Sequence, residues 1–522
     1  MAIAVPTRRN GTRSQFPWGL LGLSALIAVV VLLPLLFLVL NAAHAGWHDV
    51  FRLLFRRLTR VLLVNTIELA AGVSAGAAIL GTASAWIIER TNLPFRKAWA
   101  VLIVLPLAIP DFVVGYSWHS IAPAIRGFGG ALLVMTLALY PLVYLPVAAA
   151  LRRSDPAEEE VARSLGLGPL QTFIRVTLRQ IRPAVTGGCL VVCLALLAEY
   201  GAFEIVGFQT FTTTIFGQLQ NGFDPAGASG LSLVLVLIGI IVLIGEAGMS
   251  TRGRLSRASG GAARPFGRRR LRGRQKAVAT GVLALIAGAG LGLPVGTLTY
   301  WMAASHATTL PGSSVWGSLA HSAAYSAGAG LIATLLALPV ALLVVRHRSP
   351  TSLIIERSTY LVQSLPGLVI ALALIYFTTH FAHSLYLTSS LLVAAYAILF
   401  FPLALISVKA SVAQAPRRLE EIARSLGERR LGAMLRVTLP LVAPGLAAGF
   451  SLVFLSAVTE LTATLLLVPT GVQTLATQFW AYQTNAAYGA AAPYAVVMVA
   501  LAAVPSYILT MWFDRHPAEA SQ

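Results

Sequence analysis

The sequence has few charged residues and few cysteines, and each shortage excludes a class of protein. Charged residues make up 11% of the 522 residues, whereas 57% are hydrophobic. A soluble chain of this size cannot bury so large an apolar fraction, which indicates an integral membrane protein. The two cysteines, Cys189 and Cys193, lie four residues apart with no His or carboxylate at ligand spacing. They are expected to be apolar packing residues, not a metal site or a disulfide.

A phosphate-binding loop is also missing. The chain contains no Gly-x-x-x-x-Gly-Lys-Ser/Thr segment, whose backbone would cradle the phosphates of a nucleotide. The chain alone is therefore not expected to hydrolyse ATP. No catalytic residue, bound cofactor or confident metal site is predicted in it.

Apolar runs long enough to cross a bilayer as helices recur along the whole chain. They are predicted at about 18–40, 61–88, 98–122, 129–151, 184–206, 228–248, 277–301, 318–345, 352–378, 386–408, 441–467 and 490–513. The first run is too long for the core of a signal peptide and is interpreted as a retained span. The prediction is an all-α integral membrane protein with about 12 transmembrane helices. These form two homologous six-span halves, 1–248 and 277–522, joined by a basic cytoplasmic linker at 249–276.

Acidic residues are scarce, with 19 Asp and Glu against 38 Lys and Arg and a net charge of +19. Such an excess can indicate nucleic-acid binding, but its distribution favours a membrane topology. With the N-terminus inside, 33 of the 38 basic residues fall on the inner side, as the positive-inside rule requires. Both termini are therefore predicted to be cytoplasmic. The linker is interpreted as a tether that faces lipid headgroups, in preference to an RNA-binding segment.

One polar segment occurs twice between the apolar runs. Residues 160–183 read EVARSLGLGPLQTFIRVTLRQIRP, and residues 421–444 read EIARSLGERRLGAMLRVTLPLVAP. The offset between the copies is a constant 261 residues, as between Gly166 and Gly427. A repeat of this length indicates a duplicated domain. Both copies fall on the side that is predicted to be cytoplasmic.

Local signals in each copy predict a short helix, a glycine turn and a second helix. In the first copy Asp155 and Pro156 suit a helix start, and Gly166 suits the position that ends the helix. In the second copy Pro416 suits the first helical position and Gly427 the end. The stretch after the first turn is predicted to form one amphipathic face from Leu170, Phe173, Ile174, Thr177 and Ile181. Such a rigid elbow could transmit a partner's movement into the membrane helices.

The pattern Glu-x-Ala-x-x-x-Gly, followed after nine residues by an aliphatic-x-Leu, resembles the cytoplasmic signature loop of binding-protein-dependent ABC importer permeases. In that family the loop inserts a coupling helix into a cleft on an ATPase subunit. The resemblance implies six ATPase-docking residues: Glu160, Ala162, Gly166, Glu421, Ala423 and Gly427. The family pattern usually ends in Leu-Pro, which holds at Leu439-Pro440 but not at Leu178-Arg179. The first elbow is therefore expected to bend differently.

The resemblance also implies the partners. They are two copies of a cytoplasmic ATPase subunit, one for each half, and a periplasmic binding protein that delivers the cargo. ATP and Mg would be used by the ATPase and not by this chain. The expected location is the inner membrane, in contact with the lipid bilayer and without nucleic acid, and the expected mechanism is alternating access.

Two further short segments occur at matching positions in the two halves. Glu199 lies in AEYGAF and Glu460 in TELTATLL, again 261 residues apart, and each is followed by a Gln-Thr segment. These segments and the fusion of two halves in one chain resemble the ferric-iron subgroup of these permeases. The resemblance implies ferric iron as the cargo. A carboxylate within a span is costly unless it faces water or a partner, so both are candidate pathway residues. Alternatively, each binds a neighbouring backbone or hydroxyl group and fixes helix packing, as Asp111 could.

Other functions remain open at this point. ABC permeases for thiamine, phosphonate, polyamines or sulfate share the same signature loop. A secondary transporter would import its solute without an ATPase, and a membrane scaffold would use the two loops only to recruit a partner. Binding of an ATPase subunit and ATP-dependent uptake would separate these classes.

Overall fold

The protein is a bundle of membrane-spanning helices. The computed structural model describes residues 18–44, 52, 55–154, 156–220, 225–255, 270–304 and 313–515, and these contain no β-strand. Eight helices in these ranges are long and apolar enough to cross a membrane, and counting each of three bent helix pairs as one span gives 11. A shorter apolar stretch at Tyr488–Ala502 supplies a twelfth. The prediction of an all-α membrane protein with about 12 spans is confirmed.

In the first half, three short segments accompany the longer α-helices. A turn at Pro169–Thr172 and a π-helix at Phe173–Thr177 lead into the fifth span, and a 3-10 turn at Leu105–Ala108 lies within the third. The helices are α1 (Trp18–His44), α2 (Arg57–Arg90), α3 (Arg96–Val104), α4 (Asp111–Ile121), α5 (Gly127–Arg153), α6 (Pro156–Ser164), α7 (Leu178–Ala198), α8 (Gly201–Ile205), α9 (Phe211–Gln220) and α10 (Pro225–Leu255).

The second half repeats this order. A turn at Arg430–Ala433 and a π-helix at Met434–Thr438 again precede the fifth span, and a 3-10 turn at Leu361–Ser364 lies in the third. The helices are α11 (Gly273–Ala287), α12 (Leu293–Ala304), α13 (Ser313–Arg346), α14 (Pro350–Tyr360), α15 (Gly367–Phe381), α16 (Ser389–Leu399), α17 (Phe401–Gln414), α18 (Arg417–Ser425), α19 (Leu439–Val458), α20 (Thr462–Leu467), α21 (Leu475–Thr484) and α22 (Tyr488–Arg515).

The third span of each half is sharply bent. The pair α3–α4 bends by 91° and the pair α14–α15 by 105°. At each bend the residue before a proline, Ile109 or Leu365, has extended backbone angles. The proline ring disfavours the helical conformation in the residue before it, which accounts for the bend at each of these positions. The apolar runs therefore predicted these spans but not their bends.

The fifth span of each half ends earlier than predicted. The run at 184–206 stops being one helix at Ala198, and the run at 441–467 stops at Val458. Short helices α8 and α20 follow each break. Glu199 and Glu460 consequently lie at helix breaks and not inside continuous spans, which corrects the placement expected from the sequence.

Two buried cores interlock the halves. One core combines α2–α5, α7 and α8 with α11, α12, α21 and α22, and the other combines α1, α9 and α10 with α13–α17 and α19. Polar contacts in the first core cross between the halves: the Tyr116 hydroxyl donates to the Tyr488 carbonyl oxygen at 2.7 Å, and the Trp301 indole N–H donates to the Ser120 hydroxyl at 3.1 Å. The first and last spans of each half thus pack on the other half. The predicted division at 249–276 stays a prediction, since residues 256–269 lie outside the described ranges.

Candidate functional site

The first repeated segment folds as a helix, a glycine turn and the start of a second helix; residues 156–177 are called the first elbow. Gly166 follows α6 with a φ of 85°. The Leu167 N–H donates to the Ala162 carbonyl oxygen at 3.1 Å, and the Gly166 N–H donates to that of Arg163 at 3.0 Å. This pair of bonds is the Schellman motif that ends a helix. Glycine suits the position because of its φ, since a Cβ there would meet no atom within 4 Å.

The second repeated segment, residues 417–438, is called the second elbow and has the same geometry. Gly427 has a φ of 97°. The Glu428 N–H donates to the Ala423 carbonyl oxygen at 3.1 Å, and the Gly427 N–H donates to that of Arg424 at 3.2 Å. Both predicted glycine turns are therefore present. At the helix starts, Pro416 is the N-cap of α18 and not its first helical residue, and Asp155 lies outside the described residues.

The six predicted docking residues occupy three kinds of position. Glu160 and Glu421 are exposed, and Glu421 lies 3.7 Å from the Nε of Arg417, one turn earlier. Ala162 is buried and Ala423 half-buried, so the small side chains lie beneath the elbows. Each elbow thus combines an exposed carboxylate, a small packing residue and a turn glycine, and their docking of an ATPase stays a prediction.

Each elbow also exposes apolar side chains at matching positions. Leu165 and Leu426, directly before the turn glycines, are 78% and 81% exposed. Val161 and Ile422, one turn earlier, are exposed as well. Apolar surface at the tip of a loop that is predicted to lie in the cytoplasm is typical of a protein-binding site.

Sequence reasoning missed the buried polar centre beneath each elbow. In the first elbow the Glu159 carboxylate accepts a hydrogen bond from the Thr177 hydroxyl at 2.9 Å. The Nη2 of Arg90, the last residue of α2, lies 3.4 Å from the same carboxylate oxygen. Arg90 also donates to the Ser154 hydroxyl. Arg90, Glu159 and Thr177 are called the first triad.

The second elbow contains the matching group, the second triad. The Glu420 carboxylate accepts from the Thr438 hydroxyl at 3.1 Å and is paired with Arg346, the last residue of α13. Arg346 also reaches the Thr438 hydroxyl at 3.5 Å. A signal for the glutamates and threonines was present in the sequence, because both recur at the 261-residue offset. The arginines lie too far away in sequence to be recognised as their partners.

Glu199 caps the short helix α8. Its carboxylate accepts from the Ala202 N–H at 2.7 Å, and its carbonyl oxygen accepts from the Thr212 hydroxyl at 2.6 Å. The helix α4, which begins at Asp111, packs on α8, since a Cβ added at Gly201 would lie 2.7 Å from the Cβ of Phe112. The first of the two candidate pathway residues therefore has the local bonds that were considered as the alternative to a pathway role.

Glu460 caps the short helix α20 in the same way. Its carboxylate accepts from the Thr462 hydroxyl at 2.6 Å and from the Ala463 N–H at 3.0 Å. The same carboxylate lies against the backbone of α15, since a Cβ added at Gly367 would lie 2.5 Å from its Oε1 atom. Beside it is a cavity of about 10 Å³, room for one water molecule. The cavity is lined by Glu460 together with Ser322, Tyr325, Ser326, Tyr396 and Thr474.

The two helix breaks meet between the halves. A Cβ at Gly201, after the first break, would lie 2.8 Å from the Cδ2 of Leu461, after the second. The break segments that carry Glu199 and Glu460 thus form one centre. Among the described residues, no group of three or more His, Cys, Asp or Glu side chains is placed to hold a metal ion.

Known transport permeases are similar to this sequence, one of them over most of its length. The chain is 36% identical over 495 residues to the Fe(3+)-transport system permease protein FbpB 2 of Haemophilus influenzae, which covers 94% of this chain and 98% of that protein. It is 28% identical over 246 residues to the sulfate transport system permease protein CysT of Salmonella typhimurium, 43% of this chain and 88% of that protein. It is 30% identical over 193 residues to the putrescine transport system permease protein PotI of Escherichia coli, which covers 34% of this chain and 68% of that protein.

A family match covers both halves. Residues 77–247 and 329–517 match the family described as the binding-protein-dependent transport system inner membrane component. Each matched segment contains one elbow, one triad glutamate and one helix break. Since the two segments together span more than half of the sequence, the chain belongs to the family of binding-protein-dependent transport system inner membrane components.

Proposed function

We propose that this chain is the transmembrane permease subunit of an ATP-driven importer and that its cargo is ferric iron. Membership of the family supports the permease role. The cargo is supported by the similarity to FbpB 2, which extends over 94% of this chain. The sulfate and putrescine permeases match less than half of it.

The two elbows are the observation that carries the proposal. They have the same glycine turn and expose a leucine at the same place, and a single chain contains both. Two equal docking surfaces suit two copies of one ATPase subunit, one for each half. ATP and Mg are used by that ATPase, and this chain binds no cofactor. A periplasmic binding protein supplies the cargo, and nucleic acid is not a partner.

In the membrane, both termini and both elbows face the cytoplasm. The support is the distribution of Lys and Arg, of which 33 of 38 fall on the inner side in this orientation. The ATPase subunits then meet the elbows, and the binding protein meets the opposite face.

Transport proceeds by alternating access. Closure of the ATPase dimer on ATP moves the elbows, and the halves switch from inward-facing to outward-facing. Ferric iron released by the binding protein passes the centre formed by Glu199 and Glu460 and leaves inward after hydrolysis. Carboxylate oxygens suit a hard cation, and within the membrane they are tolerated where they face a polar cavity.

The first experiment measures uptake of radiolabelled ferric iron in a strain that lacks this gene. The wild type should restore uptake, and Gly166→Pro with Gly427→Pro should abolish it without preventing membrane insertion, because proline cannot adopt a positive φ. The control is Gly168→Ala, in the same first elbow but without positive φ or crowding. Wild-type uptake by the double proline variant would rule out the coupling role. Uptake of sulfate, putrescine, thiamine or phosphonate in place of iron would correct the cargo.

A second experiment separates an importer from other membrane proteins. An ATPase subunit should co-purify with the wild-type chain and be lost from Glu160→Arg with Glu421→Arg, since both side chains are exposed on the elbows. Uptake that continues without an ATPase subunit would instead indicate a secondary transporter. Binding without ATP-dependent uptake would indicate a scaffold.

A further inference from the structure

The two triads join each elbow to a span that is distant in sequence. Along the chain, the first elbow is continuous only with α5 and α7. Through Glu159 it is also bonded to Arg90 at the end of α2, and through Glu420 the second elbow is bonded to Arg346 at the end of α13. A carboxylate that is shared by an arginine and a hydroxyl has few other arrangements open to it, so these contacts fix the elbow against the helix end.

The π-helices place the third member of each triad. Both are five residues long, and they end on Thr177 and Thr438, the hydroxyl donors to the two glutamates. A π-turn is uncommon and frequently marks a functional position; a further one lies at Gly288–Gly292, away from the triads. The presence of a π-turn at the same place in both halves shows that each fifth span begins with a distortion at the residue that contacts the triad glutamate.

The far ends of α2 and α13 contact the segments beside the helix breaks. Asn65 on α2 donates to the Gln209 carbonyl oxygen at 3.0 Å. His321 on α13 contacts the Gln473 carbonyl oxygen at 3.0 Å, and the Ser322 hydroxyl accepts from the Leu475 N–H at 2.9 Å. These are the two Gln-Thr segments that follow Glu199 and Glu460. From Asn65 to Arg90 a helix extends about 37 Å, enough to connect an elbow with the centre.

We propose that Glu159 and Glu420 are positioning residues that latch the two elbows onto α2 and α13. Movement of an ATPase subunit is then delivered along these two helices to the Gln-Thr segments beside Glu199 and Glu460. The inference rests on the proposed function and adds to it the route by which the elbows act on the centre. Glu159 and Glu420 themselves touch neither the ATPase nor the cargo.

The test reconstitutes the chain in vesicles with its co-purifying ATPase subunit and binding protein, and measures iron transported per ATP hydrolysed. The main variant is Thr177→Val with Thr438→Val, which keeps the shape and removes both hydroxyl bonds. Transported iron per ATP is expected to fall about tenfold, while ATPase co-purification stays unchanged. The conservative pair Thr177→Ser with Thr438→Ser keeps the hydroxyls and should restore the ratio.

The matched control is Thr186→Val on α7, whose hydroxyl bonds only to carbonyl oxygens of its own helix; it should behave as the wild type. A wild-type ratio in the double valine variant, or a serine pair no better than the valine pair, overturns the proposal. If the double variant cannot be purified, Thr438→Val alone, in the more open second triad, is judged by the same ratio. Failure of the wild-type chain to move iron is a different result and overturns the proposed cargo.

Discussion

The two triads have matching members, but Glu159 is also paired with Arg163 at 3.4 Å, and the triads differ in their exposure to water. In the first, the side chains of Arg90 and Glu159 are each 3% exposed. In the second, those of Arg346 and Glu420 are 14% and 21% exposed. A buried ion pair depends on both partners, because either one alone would be an uncompensated charge in a low dielectric. The duplicated halves thus share the geometry of the triad, and the triad of the first half is less accessible to water.

The surroundings of the two helix-break glutamates also differ. The helix that packs beside the first break begins with Asp111, whereas the matching helix beside Glu460 begins with Gly367, which leaves room for the carboxylate. In the second half the Tyr396 hydroxyl contacts that of Thr464 at 2.5 Å; Phe203 holds the place of Thr464 in the first half. The hydroxyl-lined cavity lies at Glu460. Between the halves, the second therefore offers its glutamate the more polar surroundings.

The largest expected effect tests the difference between the triads. Glu159→Ala leaves Arg90 buried without its carboxylate and should destabilise the protein by about 3–5 kcal/mol. Glu420→Ala leaves Arg346 with access to water and should cost about 1 kcal/mol. The measurement is thermal unfolding of the purified chain in detergent, with each variant compared with the wild type.

The control for this comparison is Glu421→Ala, which removes only an exposed pair with Arg417 and should leave the unfolding temperature unchanged. Equal destabilisation by Glu159→Ala and Glu420→Ala would show that exposure to water does not determine how much each triad contributes to stability.

A smaller effect is expected at the helix breaks. Glu460→Gln keeps an acceptor for Thr462 and Ala463 but removes the charge beside the cavity, and iron uptake should fall about tenfold, equivalent to about 1.4 kcal/mol. Glu199→Gln keeps its bond to Ala202 and should lower uptake less. The measurement is the initial rate of radiolabelled iron uptake at equal amounts of protein. The control is Glu68→Gln, at an exposed glutamate of α2. A larger loss of iron uptake in Glu199→Gln than in Glu460→Gln would show that the glutamate of the first half matters more for transport than that of the second half.

Much of the fold could be predicted from the sequence because apolar runs and glycine turns are local signals. All 12 spans and both turn glycines, Gly166 and Gly427, were found in this way. The bends before Pro110 and Pro366 were not found, since the apolar runs continue through them. The sequence identified the exposed glutamates Glu160 and Glu421 through a resemblance to a known loop.

The neighbouring glutamates could not be recognised in the same manner. The role of Glu159 depends on its contacts with Arg90 and Thr177, and these contacts form only after three helical segments have packed together. The predicted amphipathic face after the first turn was also partly wrong, because Ile174 is exposed. The π-helix at Phe173–Thr177 alters the number of residues per turn there, and a regular α-helical period therefore misplaces the side chain.

The smallest expected effect concerns the feature that the halves share most closely, the exposed leucine before each turn glycine. Leu165→Ser and Leu426→Ser remove apolar surface that contacts no other part of the protein core, so the unfolding temperature should not change. Each should weaken binding of an ATPase subunit by about 1–2 kcal/mol, the value of an apolar side chain that becomes buried in an interface. Titration of the purified chain with the ATPase subunit measures this loss. Ser164→Ala and Ser425→Ala are the controls, since these hydroxyls bond only within their own helices. If the two elbows dock equally, the two leucine variants lose the same affinity, and the double variant loses binding at both sites.

A loss of affinity in only one of the two leucine variants would mean that the fused chain binds its ATPase subunits unequally, in spite of its two matching turns.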